Sequence, residues 1–175
     1  AATLVRLVGK KMVPVLCKDE GQCMGESMDI VRYVNQLHPQ AELAGPVVAI
    51  DAWCENAWPL VLKLSIPRFT QADFPELSTD SARQAYIARE EAAFGPMSAL
   101  LDDTPDLIAR LLPKLAVLEE LLAQERSAGE SDFRLYPSLR MLSIVRGLAF
   151  GPRALAYMHG MARCTGVPLH FDQAR

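Results

Sequence analysis

Two short stretches near the start of the chain carry residue types that suit the binding of a small peptide. Val13-Pro14 opens an apolar run that predicts a strand, and Glu26-Ser27 opens an amphipathic stretch that predicts a helix. A proline belongs at a strand entry or edge, where the Val13 backbone groups stay able to pair with an extended peptide. A helix amino end favours a carboxylate, and Glu26 attracts an ammonium group. The two stretches together predict a site for a short zwitterionic peptide.

These residues must be positioned by a strand, a hairpin, a second strand and a helix in direct succession. The polar segment 18–22 contains a glycine and predicts the hairpin loop. The helix is predicted over Ser27–Leu37, with Ser27 as its N-cap and Asp29 in its first turn. A cis bond before Pro14 would be typical of a tight site at a strand entry.

Three segments of the sequence carry a likeness to a known family. They are RLVGKKMVPVL at Arg6–Leu16, ESMDIVRYV at Glu26–Val34 and, more weakly, DFRLYPSLRML at Asp132–Leu142. The first two resemble the glutathione-binding half of a thioredoxin-like domain in the glutathione S-transferase superfamily. Within it, the chain most resembles the bacterial glutaredoxins of the glutaredoxin 2 type. The likeness spans nearly the whole chain and is most specific in the first forty or so residues.

This resemblance implies a role for each candidate site residue. The Val13 backbone would pair with the cysteinyl part of glutathione, and Pro14 would shape the site. Glu26 would hold the γ-glutamyl end by its charge, and Ser27 by its N–H and hydroxyl groups. Lys11 is a weaker candidate, for the glycyl carboxylate. Glutathione is thus the expected co-substrate.

The function that the resemblance implies is glutathione-dependent thiol–disulfide exchange on disulfide or glutathionylated substrates, by a cytoplasmic monomer. In the family a strand–helix–strand unit with a Cys-x-x-Cys motif precedes the matching region, and this sequence contains neither. We therefore expect the redox cysteines upstream of residue 1. Two alternatives stay open. One is a glutathione S-transferase that conjugates electrophiles, and the other is a non-catalytic glutathione-binding or scaffold protein.

The four cysteines of the chain do not replace the missing motif. Cys17 lies four residues along the strand from Val13, roughly 13 Å away at about 3.3 Å per residue. Cys17 and Cys23 would be cross-strand neighbours, and we expect two reduced thiols there rather than a disulfide. Cys54 reads as a core residue, and nothing ties Cys164 to the site. We therefore name no catalytic residue in this chain.

The remainder of the sequence predicts helices, so the expected fold class is α+β and mostly helical. We expect a partial thioredoxin-like module over residues 1–38, a linker over 39–46 and an all-helical, glutathione transferase-like domain over 47–175. The chain has 175 residues and is 50% hydrophobic, which is enough for one sizeable core or for a small domain plus a larger one.

Proline and glycine positions predict where the helices of the second region bend or end. The expectations are a helix over Val47–Ser65 with a kink or break at Pro59, a helix over Thr79–Leu101 bent or divided at Gly95-Pro96, a helix capped at Thr104-Pro105 with a bend at Pro113, a helix over Asp132–Arg146 behind a Gly129-x-x-Asp132 capping motif, and a last helix from Gly151-Pro152 to Met161 before a loose tail.

Charge and composition argue against several other classes of protein. The net charge is −3, with no basic face that would suit a nucleic acid. The longest apolar stretch, Trp58–Ile66, is interrupted by Lys63 and is too short to span a membrane. The histidines His38, His159 and His170 are scattered, so we assign no metal site.

Overall fold

Helices dominate the computed structural model, which describes residues 2–9, 13–38 and 43–175. The strands described form one antiparallel hairpin, so the predicted α+β, mostly helical class is confirmed. None of the described helices is long and apolar enough to cross a membrane. The elements in chain order are α1 (Ala2–Val8), β1 (Leu16–Cys17), β2 (Cys23–Met24), α2 (Ser27–Leu37), α3 (Val48–Phe69), α4 (Asp80–Phe94), α5 (Met97–Asp102), α6 (Thr104–Leu121), α7 (Asp132–Leu142) and α8 (Pro152–Thr165).

The contacts of the chain divide it into two units. Unit 1 comprises Ala1–Gly45 and Ser127–Glu130, and unit 2 comprises Pro46–Arg126 and Ser131–Arg175. The segment 127–130, which we predicted within the helical domain, groups with unit 1 because it pairs with Ala44. The Ala44 N–H donates to the Ala128 carbonyl at 3.1 Å, and the Glu130 N–H donates to the Ala44 carbonyl at 2.9 Å.

Unit 2 is built around α3, whose apolar residues recur at helical spacing and pack against α6 and α7. On α3 this stripe includes Ile50, Ala57 and Leu64, each at most 1% exposed. Leu111 on α6 and Leu139 on α7 are fully buried in the same core. Interdigitated side chains from several helices therefore hold this unit together.

Helix α3 is longer than predicted and is not broken at Pro59. It runs without interruption past Pro59 and Pro67 to Phe69, so the alternative of a break was wrong. Pro59 lies on the exposed side of the helix, where water can satisfy the carbonyl that its missing N–H leaves free. At the carboxyl end, Arg68 donates to the Leu64 carbonyl at 2.6 Å, which supports the last turn.

The expected division at Gly95-Pro96 is confirmed, since α4 ends at Phe94 and α5 begins at Met97. Gly95 has φ of 84°, a conformation that favours glycine. The start of α6 differs by one residue from the prediction. Asp103 occupies the N-cap position, and Thr104 is already helical.

Helix α7 begins as predicted but is capped differently and ends earlier. Ser131, not Gly129, is its N-cap, and its carbonyl accepts from the Leu135 N–H at 2.9 Å. The helix ends at Leu142 rather than Arg146. There the Ser143 hydroxyl donates to the Arg140 carbonyl at 2.6 Å, and a turn follows.

The prediction of a loose carboxyl-terminal tail was wrong. Helix α8 extends to Thr165 and ends at Gly166, which has φ of 69°. The tail then returns to the turn after α7, where the Arg175 N–H donates to the Ile144 carbonyl at 3.0 Å. The His170 N–H donates to the Ser143 hydroxyl at 2.8 Å. These long-range hydrogen bonds fix a segment that carries no regular helical pattern.

Candidate binding site

The hairpin brings the two candidate stretches to the same end of unit 1. Strands β1 and β2 are antiparallel, with Leu16 opposite Met24. The ladder ends at this pair, so Val13, three residues before β1, and Ser27, three residues after β2 and at the start of α2, both lie beyond the open end of the hairpin. The loop 18–22 closes the opposite end, where the Lys18 N–H donates to the Gln22 carbonyl at 2.9 Å. Both candidate stretches therefore lie at the end of the hairpin opposite its loop, and the peptide site itself stays a prediction.

Val13 and Pro14 form an exposed entry to the first strand. The bond between them is cis, and the Val13 side chain is 75% exposed. Within the described ranges, no backbone hydrogen bond involves the N–H or the carbonyl of Val13. An exposed strand entry of this kind suits backbone pairing with an extended peptide.

The start of α2 supplies donors and a carboxylate beside that entry. Glu26 occupies the N-cap position, and its carbonyl accepts from the Ile30 N–H at 3.1 Å. Ser27 is the first helical residue, which corrects its prediction as the N-cap. Both Glu26 and Ser27 are exposed. Free N–H groups in the first turn of a helix bind carboxylates, whereas the Glu26 side chain suits an ammonium group.

Two other expectations concern ligands of this site. Lys11, the predicted partner of the glycyl carboxylate, lies outside the described residues. In the ranges that the structure covers, no three His, Cys, Asp or Glu side chains gather as a metal ion would require.

The cysteines differ from the prediction at the hairpin. Cys17 and Cys23 face each other in the ladder and form a disulfide, so the expectation of two reduced thiols was wrong. Their Cα atoms are 4.0 Å apart, below the separation of about 7 Å beyond which two cysteines cannot be bridged. Cys54 is buried in unit 2, and burial, together with the nearby Asp51 carboxylate, raises the pKa of its thiol to about 12. Cys164 is exposed near the end of α8.

Comparison with known families shows which family the chain belongs to. A model described as "Glutaredoxin 2, C terminal domain" matches residues 49–174. A second, described as "Glutathione S-transferase, N-terminal domain", matches residues 1–42. The chain belongs to the glutaredoxin 2 family. The resemblance recognised from the hairpin and α2 segments is thereby confirmed.

Individual relatives agree with this assignment. Glutaredoxin 2 of Escherichia coli strain K12 is 36% identical over 174 residues, which is 97% of this chain and 81% of the relative. The protein of the same name from Escherichia coli O157:H7 gives the same values. The crystal structure of glutaredoxin 2 from Salmonella typhimurium in complex with glutathione has a TM-score of 0.88 and 35% identity. That match covers 99% of this chain and 82% of the Salmonella protein.

In this glutaredoxin 2 family member, α2 is held within unit 1 by an ion pair that local sequence patterns could not reveal. Arg32 on α2 contacts Glu130 with two hydrogen bonds, of 3.1 and 2.6 Å. These bonds lower the pKa of the Glu130 carboxyl and raise that of Arg32. Asp29 lies 3.7 Å from the same guanidinium. The partners are 98 residues apart in sequence, so no spacing rule connects them.

A second concave region lies within unit 2, between α3 and α7. Its volume is about 420 Å³, and Trp58 and Phe133, which are 41% and 50% exposed, contribute apolar surface to it. At its edge, Glu55 and Arg134 approach to 3.4 Å. The sequence analysis did not identify this cavity.

Proposed function

We propose that this chain binds glutathione at the open end of its hairpin and serves glutathione-dependent thiol–disulfide exchange. The observation that carries the proposal is the antiparallel hairpin, whose open end is flanked by Val13 before β1 and by Ser27, at the start of α2, after β2. Family membership supports it, because the similar Salmonella typhimurium protein is known in complex with glutathione. The binding roles follow from the chemistry of each residue.

The cysteinyl part of glutathione is an extended peptide unit with one N–H and one carbonyl. In our proposal these groups pair with the backbone of Val13, as an added strand pairs with a sheet edge. Pro14 contributes no N–H, and its ring forms one wall of the site beside the bound peptide.

The γ-glutamyl end of glutathione carries both an ammonium and a carboxylate. We propose that the Glu26 carboxylate holds the ammonium and that the Ser27 N–H and hydroxyl hold the carboxylate, aided by the positive end of the α2 dipole. The glycyl carboxylate at the other end of the ligand would then suit the cation of Lys11.

Exchange requires a thiolate that attacks the glutathionyl sulfur of a mixed disulfide and releases the substrate thiol. A second glutathione then regenerates the thiolate and leaves as glutathione disulfide. The sequence holds no Cys-x-x-Cys, and the expectation of redox cysteines upstream of residue 1 stays a prediction. We further propose glutathionylated or disulfide substrates, a monomer and a cytoplasmic location, as the family resemblance implies.

Calorimetric titration with glutathione tests the binding site. Glu26→Gln removes the charge that faces the ammonium, and we expect binding about tenfold weaker, since a charged hydrogen bond contributes about 1.5–3 kcal/mol. Glu20→Gln is the matched control, because Glu20 is an exposed acid in the loop at the opposite end of the hairpin. Equal losses in both variants, or none in either, would contradict the assignment of Glu26.

Activity distinguishes the proposed exchange from its two alternatives. The protein is supplied with glutathione and a glutathionylated small thiol, and release of the thiol is followed. We expect turnover from the protein that contains the redox cysteines. Conjugation of an electrophile without thiol release would instead support a transferase. Binding of glutathione with neither reaction would support a non-catalytic binder. The observation in favour of this alternative is that these 175 residues contain no Cys-x-x-Cys motif.

A further inference from the structure

The Cys17–Cys23 disulfide lies on the same hairpin as the proposed glutathione site but is not used by it. The two residues are directly opposed in the ladder, next to the loop. Cys17 is exposed and Cys23 is half-buried, so a small thiol can approach the bond from solvent. Disulfides that persist in a reducing compartment are usually transient, catalytic or redox-sensing, and exposed ones are the most readily exchanged.

The disulfide also cross-links two strands that share only a very short ladder. Only the Leu16–Met24 pair separates the disulfide from the open end of the ladder, beyond which Val13 and Ser27 lie. Two paired residues per strand make a hairpin of marginal stability in water. The helix that follows, α2, contains no buried residue. This cross-link is therefore one of the few ties that fix the hairpin.

We propose that Cys17 and Cys23 form a reversible redox centre, reduced by glutathione, whose oxidised form holds the hairpin in the arrangement that binds glutathione. This inference rests on the proposed function. Such a redox centre makes the affinity of the site for glutathione depend on the ratio of glutathione to glutathione disulfide, and the affinity is higher under oxidising conditions.

Reduction takes two glutathione molecules. The first glutathione thiolate attacks the exposed Cys17 sulfur, which breaks the bond to Cys23 and leaves a mixed disulfide on Cys17. The second thiolate attacks the glutathionyl sulfur of that mixed disulfide and releases the Cys17 thiolate. The products are two protein thiols, which gain two electrons and two protons, and one molecule of glutathione disulfide. Oxidation by glutathione disulfide follows the same steps in reverse.

The size of the loop favours reversibility. The two cysteines are separated by six positions, and a cross-link over so short a loop removes less entropy from the unfolded chain than one over a long loop. Breaking it therefore disfavours folding less than breaking a long-range disulfide. Of the two remaining cysteines in these 175 residues, Cys54 is buried in the core and Cys164 is exposed.

The redox state of the pair can be read directly by mass spectrometry. Trypsin cleaves after Lys18, so the two cysteines fall on peptides 12–18 and 19–32, which stay linked only while the disulfide exists. Native protein is equilibrated in glutathione buffers, its free thiols are blocked, and the linked fraction is measured. We expect that fraction to fall as glutathione replaces glutathione disulfide, while the fluorescence of Trp53 and Trp58 in unit 2 is unchanged. A link that opens only on unfolding, or never forms, would overturn the proposal.

Coupling to the site is measured with S-methylglutathione, which has no free thiol and leaves the disulfide intact. We expect the oxidised protein to bind it at least about fivefold more tightly than the reduced protein, the lower end of typical coupling between sites. The double variant Cys17→Ser/Cys23→Ser should bind as the reduced protein does in every buffer. Cys164→Ser is the matched control and should keep the full redox dependence.

A second double variant guards against simple damage to the hairpin. Cys17→Val/Cys23→Val keeps an apolar cross-strand pair without sulfur chemistry, and we expect weak binding that no buffer changes. Equal affinity of the oxidised and reduced protein would refute the coupling while leaving the glutathione site intact. If no form binds S-methylglutathione, the proposed function itself fails and this inference fails with it.

Discussion

Different interactions stabilise each of the two units of the molecule. Unit 2 contains a core of apolar side chains from α3, α6, α7 and α8, many of them fully buried. Among the residues of unit 1 whose burial is described, Gly129 alone is buried. Unit 1 instead relies on a disulfide, on the Arg32–Glu130 ion pair and on the backbone pairing of Ala44 with segment 128–130.

This difference explains why the proposed chemistry belongs to unit 1. A packed core resists local change, because each methylene removed from it is felt in the stability of the whole unit. A hairpin fixed by a few separate ties can respond when one of them is cut, since segments with few buried contacts open at low free energy. Substitutions in unit 2 should therefore act globally, and those in unit 1 locally.

The largest expected effect comes from the core of unit 2. Leu111→Ala removes a fully buried side chain on α6 and should lower the free energy of unfolding by about 2–5 kcal/mol. Leu112→Ala is the matched control, because Leu112 is 41% exposed, and its loss should stay under about 1 kcal/mol. Chemical denaturation measures both. Equal losses would contradict the assignment of the core to one face of α6.

A buried polar cluster in unit 2 should give the next largest effect. Asp132 is 5% exposed, contacts both terminal nitrogens of Arg126 and accepts from the Tyr157 hydroxyl at 2.7 Å. Burial and this hydrogen bond raise the pKa of Tyr157. Asp132→Asn should lower the free energy of unfolding by about 2–3 kcal/mol, because it leaves a partly buried cation without its counter-charge. Asp29→Asn, on the exposed face of α2, should change it by less than about 1 kcal/mol.

The buried His170 predicts how the stability of unit 2 depends on pH. The centroid of its ring lies 5.0 Å from that of the Phe74 ring. Burial lowers the pKa of His170 from 6.5 to about 4, and the charge of Arg140 adds to this shift, whereas the charge of Asp172 opposes it. Because the unfolded chain binds the proton more readily, the stabilisation is complete above about pH 6.5 and is lost as the pH falls toward 4. We expect about 3 kcal/mol over this window, since a unit of pKa corresponds to about 1.4 kcal/mol.

Denaturation curves at several pH values measure this contribution. His170→Gln should remove that part of the pH dependence, whereas His159→Gln, at an exposed position on α8, should keep it. An unchanged slope in His170→Gln would mean that another group produces the loss at low pH.

What could be predicted from the sequence was local. The amphipathic period and the flanking residues gave the bounds of α2, and Gly95-Pro96 marked the division between α4 and α5. Whether α3 continues through Pro59 could not be predicted, because this depends on which side of the helix faces solvent. The anchored tail escaped prediction for a similar reason, since the Arg68 guanidinium reaches the Arg175 carbonyl across 107 positions.

For the candidate site too, the sequence predicted local features and missed contacts that depend on the fold. The sequence identified Val13 and Ser27 as candidates, and both lie at the open end of the hairpin. The disulfide was missed because the expectation for Cys17 and Cys23 rested on the redox compartment and not on their direct opposition in the ladder. Glu130 was missed because its partner on α2 is distant in sequence.

The smallest expected effect is in unit 1, at the tie between α2 and segment 127–130. Glu130→Gln removes the charge that pairs with Arg32, which is 52% exposed. Because the pair lowers the pKa of Glu130, its stabilisation is present above the ordinary carboxyl pKa of 4.5 and is lost as the pH falls below it. The effect should be smaller than that of Asp132→Asn, and should shrink in high salt, since exposed charges are screened.

Hydrogen exchange followed by mass spectrometry shows whether this effect is local. In Glu130→Gln we expect faster exchange of the α2 amides, with no change in α3 or α6, because few buried contacts restrain α2. Glu20→Gln, which alters an exposed acid of the hairpin loop, should leave α2 unchanged. Faster exchange throughout unit 2 would mean that the ion pair stabilises the molecule globally, and the contrast between a locally tied unit 1 and a packed unit 2 would not hold.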